Sequence, residues 1–188
     1  GALPGQRGHR SGRGLPPLHH RHLMALVLRA AAPHEVGPVG ELTLRSYRDG
    51  PALHDAHGSY AASLLDAGPR AEQAELLVAE DEDRPGDLVA TVTLCRHGSS
   101  WAEVARTGEL ELRILAVSPG HRRRGLARAV MTELRARAAA EDLVLVVSVI
   151  DVNAPAHALY RSLGFERQPE RDWLPEPDAR LQVYRDRS

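Results

Sequence analysis

Apolar residues recur along the chain in two periods, and the switches between them outline the elements. After Pro33 they fall at Val36, Val39, Leu42 and Leu44, with Glu35 ahead and Arg45 and Arg48 behind, which predicts a first helix ending near Asp49-Gly50-Pro51. A weaker helical pattern covers Leu53 to Leu65. Two strands follow at Glu75 to Ala79 and Leu88 to Leu94, with the acidic, Pro/Gly-containing stretch Glu80 to Asp87 as a hairpin turn between them. Glu109 to Val117 alternates as a strand does and stops at Ser118-Pro119-Gly120. From Arg123 to Ala140 the period is helical, with Leu126, Ala129, Val130 and Leu134 on one face. Leu143 to Ile150 is almost wholly apolar and β-branched, as in a strand covered on both faces. Ala154 to Ser162 reads as a short helix stopped by Gly164, and Arg180 to Tyr184 as a last strand after a Pro-rich loop. Near the start, the apolar run Leu23 to Leu28 is shorter than the roughly 7–15 residues of a signal peptide's hydrophobic region and is assigned to a first strand.

The order is strand, helices, three strands, helix, strand, helix, strand, which predicts a mixed α/β sheet without internal repeats. Residues 1–23, rich in Gly, Pro, Arg and His, read as a flexible tail, and 24–188 as a single domain. Cys95 is the only cysteine, so neither an intramolecular disulfide nor a Cys-rich zinc site is available. All 24 Lys/Arg positions are arginine, which removes lysine nucleophiles, Schiff bases and a P-loop lysine from consideration. A formal charge of −1 and 4% aromatic residues argue against a nucleic-acid partner. No apolar run approaches the roughly 20 residues of a membrane span, and the expected compartment is cytoplasmic. His19, His20 and His22 lie in the tail without a matching carboxylate or cysteine cluster, so no metal is expected.

Chemistry concentrates between the strand ending at Val117 and the helix opening near Arg123. A strand, a tight turn and a helix N-terminus present free backbone N–H groups and the positive end of a helix dipole, the requirements of a phosphate site. Gly125 and Ala127 are small enough for a pyrophosphate to approach the backbone, and Arg122, Arg123 and Arg124 add charge. Gly120 and Gly125 have P-loop spacing, but Leu126-Ala127 stands where Lys-Ser/Thr would be needed, so nucleotide hydrolysis is not expected.

Arg122-x-x-Gly125-x-Ala127 resembles the acetyl-CoA signature Q/R-x-x-G-x-G/A of the GCN5-related N-acetyltransferase (GNAT) superfamily, and Leu115-Ala116-Val117 resembles the strand end before it. Asn153-x-x-Ala156-x-x-x-Tyr160-x-x-x-Gly164-Phe165 is similar to the family's second motif. The resemblance is close from Glu109 to Phe165 and looser from Leu26 to Leu94. Two departures stand out: many members carry glycine at the positions of Arg123 and Ala127.

The resemblance implies a twisted, mostly antiparallel sheet with helices on both faces, splayed between the fourth and fifth strands. It implies acetyl-CoA as cosubstrate, with pantetheine on the main chain at Leu115, Ala116 and Val117. Pyrophosphate would lie on the amides of Arg122, Arg123, Arg124, Gly125, Leu126 and Ala127, with Asn153 and Ala156 beside the cofactor. Asn153 reads equally as the N-cap of the helix that follows.

Amine acetylation needs a base, because an alkyl amine of pKa near 10 is mostly protonated at neutral pH. Glu111, six residues before Val117, stands where a histone-modifying branch of the family carries its catalytic glutamate, and Glu109 is the reserve. Tyr160 occupies the family's general-acid position. The expected activity is direct acetyl transfer to a primary amine of a small molecule or protein, in a bacterial-type protein. A homodimer is common among proteins that look like this. The alternative is a non-catalytic acyl-CoA-binding module on the same fold, which would not need Glu111 or Tyr160.

Overall fold

The computed structural model describes residues 26–51 and 58–187; the tail, the first half of the Leu23–Leu28 run and residues 52–57 lie outside them. The chain begins with a two-residue strand, β1 (Arg29–Ala30), followed by helix α1 (Val36–Arg48) and the short helices α2 (Ser59–Leu65) and α3 (Gly68–Gln73). The hairpin β2 (Glu75–Asp81) and β3 (Arg84–Arg96) leads to β4 (Glu109–Val117), α4 (Leu126–Ala140), β5 (Val144–Ile150) and α5 (Ala154–Ser162). β6 (Glu166–Arg167), β7 (Trp173–Glu176) and β8 (Ala179–Arg185) complete the sheet.

Neighbours run β1-β2-β3-β4-β5-β8-β6, with β7 on β8. The pairings are antiparallel except that of β4 with β5. This is the predicted mixed, mostly antiparallel sheet.

Side-chain alternation divides the core between two faces. On one, Leu77, Leu94, Leu112, Leu145 and Val147 pack with Val130, Leu134 and Ala138 of α4 and Tyr160 of α5. On the other, Leu76 and Val78 meet Val39 of α1 and Ala67, while Leu44, Ala61 and Leu64 join α1 to α2. Fully buried Arg70 donates from Nη1 to the carbonyls of Ser63 (2.9 Å) and Leu64 (3.3 Å), satisfying the end of α2. Among the described residues no helix is long and apolar enough to cross a membrane.

Helix propensity alone marks Gly40, inside α1, as a weakness. The packing explains it: a Cβ at Gly40 would stand 1.8 Å from the carbonyl oxygen of Leu65, so α1 and the end of α2 touch backbone to side. Gly40→Ala is expected to destabilise the protein by about 2–3 kcal/mol through overpacking. A lowered urea midpoint with an unchanged slope would show it.

Candidate functional site

β4 and β5 are hydrogen-bonded only from Glu109↔Val144 to Leu112↔Val147. Beyond Leu112, β4 bulges against β3: Thr93 opposes Arg113 and Thr91 opposes Ala116, so three steps of β4 meet two of β3. The extra residue is accommodated at Ile114, a β-branched residue held at φ 53°. The bulge turns β4 away from β5 and opens a cleft of about 1280 Å³ between residues 113–117 and 147–150. The expected splay between the fourth and fifth strands is therefore present, and the bulge is its local cause.

At one end of the cleft lies the turn from β4 to α4. A 3₁₀ turn at Pro119–His121 leads to Gly125, whose φ of 84° caps α4. The first helical bond is donated by Ala129 to the Gly125 carbonyl, and the amides of residues 123–128 have no acceptor among the described residues. Six consecutive free amides at the start of a fifteen-residue helix form an anion cradle. A Cβ at Gly125 would meet nothing within 4 Å. Arg123, also in the cleft wall, sits at φ 58°, a conformation natural to glycine, which gives the departure from glycine at this position a local strain cost.

The predicted residues separate by geometry. Leu115, Val117, Arg122, Arg123, Gly125, Leu126, Ala127, Asn153, Ala156 and Tyr160 line the cleft. Ala116 does not: it is 1% exposed and on the opposite side of the strand. Arg124 is exposed beside the turn rather than in the cleft wall. The Arg122 guanidinium donates to the Ser46 carbonyl and to the Asp49 carbonyl (3.2 Å), tying the turn to the end of α1. Asn153 is the N-cap of α5, its Oδ1 accepting from the Ala156 amide (3.2 Å), so the capping alternative is realised at a residue that also faces the cleft. His121 lies in the same turn, its Nε2 3.2 Å from Asp81.

Tyr160 is 4% exposed, with its ring against Phe165 (5.5 Å between centroids) and Tyr184 (6.0 Å). Its hydroxyl makes no hydrogen bond among the described residues, and burial raises its pKa well above the ordinary tyrosine value.

Glu111 and Glu109 are not in the cleft wall. Glu111 is fully buried; its Oε2 accepts from the amides of Glu103 (2.8 Å), Val104 (2.9 Å) and Ala105 (3.0 Å), while Oε1 is buried without a partner. Glu109 accepts from the amide of Arg106 (2.9 Å), from both Nη atoms of Arg171 (3.0 and 2.7 Å) and from Arg185 (3.0 Å).

Residues that the motifs did not mark complete the cleft: Tyr47 and Tyr60 from the α1–α2 side, Glu103 and Arg113 beside the bulge, and Trp173, Glu176 and Asp178 from the β7–β8 hairpin. Arg113 lies over the Trp101 ring at 5.4 Å and pairs with Glu103 at 2.8 Å. Partial burial pushes the Glu103 carboxyl above the usual carboxylate range; Arg113 opposes that rise and the charge of Glu111 adds to it.

Solved structures share this architecture. A phosphinothricin acetyltransferase of the GNAT superfamily from Sinorhizobium meliloti, in complex with acetyl-CoA, matches with a TM-score of 0.62 at 20% identity, over 87% of this chain and 88% of its own. The yncA protein of Salmonella typhimurium, solved with its cofactor acetyl-CoA, matches at 0.58 and 18% over 86% of this chain and 92% of its own. A ribosomal-protein-alanine N-acetyltransferase from Brucella melitensis matches at 0.59 and 20% over 86% and 99%. These likenesses establish the GNAT fold. At the level of sequence, residues 39–165 match the Acetyltransferase (GNAT) family, and the chain belongs to that family of transferases. Among curated protein sequences none matches it.

Proposed function

We propose that the protein moves an acetyl group from acetyl-CoA to a primary amine by direct attack within a ternary complex. The observation that carries this reading is that a run of unpartnered amides at residues 123–128, all but Arg124 belonging to cleft-lining residues, adjoins the same cleft as the β4 segment without a β5 partner and the Tyr160 ring. The residues present fit the cosubstrate: the amides suit a pyrophosphate, and the β4 main chain that faces the cleft without a β5 partner at Leu115 and Val117, where the Val117 carbonyl also accepts from Ser46 Oγ (3.0 Å), suits an extended amide-bearing arm. When bound, acetyl-CoA supplies the activated acyl group.

The other end of the cleft suits an ammonium group. Tyr47, Tyr60 and Trp173 offer aromatic faces, and Glu103, Glu176 and Asp178 offer carboxylates. Tyr160 is assigned the proton that the departing thiolate takes up. No covalent enzyme intermediate is required, and the buried Cys95, whose thiol burial pushes up to about 12, is poorly suited to provide one.

Calorimetric titration with acetyl-CoA tests the cradle. The wild-type protein is expected to bind one equivalent, and Gly125→Val at least about tenfold more weakly, because its side chain projects into the space a phosphate needs and resists positive φ. Ala127→Leu, which carries no backbone strain of that kind, is expected to weaken binding in the same direction. Unchanged affinity in both variants would remove the cradle assignment. Binding by the wild type without transfer to any amine would leave the non-catalytic acyl-CoA module.

A further inference from the structure

The two strand carboxylates are engaged in holding a loop, and that loop carries a third carboxylate to the cleft. Four consecutive amides, 103 to 106, are bound by Glu111 and Glu109, the first three on one oxygen of Glu111 and the fourth on Glu109. Arg171, itself clamped to Glu109, donates to the Val104 carbonyl, and His97 Nδ1 lies 2.8 Å from the Ala105 carbonyl. Main chain pinned at so many points gives the Glu103 side chain a fixed origin. That side chain is 30% exposed and ends at the cleft wall, with Oε1 2.8 Å from Arg113 Nη2. Arg113 is in turn fixed by the Trp101 carbonyl (2.8 Å) and ring, and it immediately precedes the bulge at Ile114.

Among the described cleft-lining carboxylates the others are placed less well. Asp49 belongs to the phosphate end, where its carbonyl is held by Arg122, and Glu176 and Asp178, exposed at the β7–β8 hairpin, have no side-chain hydrogen bond or ion pair among the described residues to fix them as Arg113 fixes Glu103.

We infer that Glu103 is the group that takes the proton from the acceptor ammonium, and that Glu111 and Glu109 are positioning residues that fix its loop. The inference rests on the acetyl-transfer reading above. The Glu103 carboxylate removes one proton from R–NH₃⁺, and the freed lone pair forms the C–N bond to the thioester carbon. The C–S bond then breaks, the sulfur takes the Tyr160 proton, and the second proton lost by nitrogen restores Tyr160. Glu103 finally releases its proton to water, for a net release of one proton per turnover.

The groups facing Glu103 are Arg113 and Glu111 from β4, Cys95 from β3 and Tyr60 from α2. Arg113 favours the ionised form, while burial and the Glu111 charge make it more basic than an ordinary carboxylate, the direction a general base needs.

The test compares wild type, Glu103→Gln and Glu111→Gln by thiol release over pH 6–9, using an aliphatic diamine, free amino acids, an aminoglycoside and a lysine-containing peptide as acceptors. Acetyl-CoA affinity is measured on all three proteins. Glu103→Gln is expected to lower kcat/KM for the amine about 100-fold at pH 7 without changing acetyl-CoA affinity. Its remaining rate should climb about tenfold per pH unit with the fraction of free amine, whereas the wild-type rate levels off above the carboxylate limb. A Glu103→Gln protein with the wild-type profile overturns the inference, as does a loss of the limb in Glu111→Gln alone. If the wild type binds acetyl-CoA and acetylates none of the acceptors, the acetyl-transfer reading fails first and the assignment of Glu103 falls with it.

Discussion

Tyr160→Phe is expected to lower kcat about 100-fold while leaving acetyl-CoA affinity within about twofold of wild type. The hydroxyl has no hydrogen-bond partner among the described residues, so its removal breaks no internal bond. The ring contacts with Phe165 and Tyr184 survive in phenylalanine, and thermal stability should barely change. Burial holds the phenol protonated at neutral pH, as a donor must be. The same burial makes the proton harder to give, but a thiolate formed in this cleft is desolvated too, and its basicity rises with that of the phenol. Cys95 shows the direction of that effect on a thiol in this fold, burial pushing it up to about 12. The ordinary gap between thiol and phenol is about 1.5 units, or roughly 2 kcal/mol, and burial acts on both groups in the same direction. Thiol release at saturating acetyl-CoA, paired with calorimetry on the same variant, checks both halves. An unchanged kcat removes Tyr160 from the reaction, and a parallel loss of affinity makes it a packing residue of the cleft.

The sequence was most informative where the determinants are local. Glu109–Val117 and Ala154–Ser162 have the observed bounds because turn or capping signals adjoin each: Ser118-Pro119-Gly120 after the strand, Asn153 and Gly164 around the helix. The turn from β4 to α4 was readable for the same reason, since its free amides, glycine and helix start lie in one short segment.

Elements fixed by pairing were missed or shortened. β2 and β3 run into the acidic stretch taken as a turn, because Glu80 and Asp81 continue to pair with β3 and Glu80 is held by Arg29. Helix α3 begins at Gly68-Pro69, which reads as a break although proline is tolerated in a first turn. β6 and β7 have two and four residues, too few to show a period. The first strand was expected within Leu23–Leu28, whereas the described pairing is at Arg29–Ala30, opposite Val78 and Leu77.

The acidic residues were ambiguous in principle. Glu109 and Glu111 alternate with Leu110 and Leu112 as solvent-facing positions would, yet all four are buried. An alternating glutamate looks the same in sequence whether it meets water or the amides of a loop folded over it. Glu103 lies in that aperiodic loop, between Trp101 and Gly108, and only the fold shows where its side chain goes.

Glu109→Ala is expected to destabilise the protein more than Gly40→Ala, at about 3–5 kcal/mol. Removing this carboxylate strands Arg171, whose side chain is 4% exposed, and leaves it the Val104 carbonyl as its remaining partner among the described residues. It also frees the Arg106 amide and leaves the Arg185 guanidinium with the Asp186 carbonyl (3.5 Å). Glu109→Gln should cost less, because the amide oxygen still accepts while the full charge is lost. The same network predicts the direction of acid sensitivity. Burial works to raise the Glu109 pKa, but Arg171, the Arg106 amide and Arg185 together bring it below the usual carboxylate value. Asp172 is lowered to about 2, chiefly by its bonds with Arg167, and Glu35 to about 2, chiefly by those with Arg29. Each group is therefore more acidic folded than unfolded, and the folded state binds fewer protons. Its stabilisation is fully present above the unfolded carboxylate pKa near 4 and is lost as pH falls through the folded values toward 2. Urea unfolding of the wild type should show stability falling steadily from about pH 5 to pH 2. In Glu109→Ala the baseline should be lower and the slope shallower, since one depressed carboxyl no longer contributes. A slope identical to wild type would mean that Glu109 is not held ionised by Arg171 and Arg185, and that the clamp on the 103–106 loop is weaker than its geometry indicates.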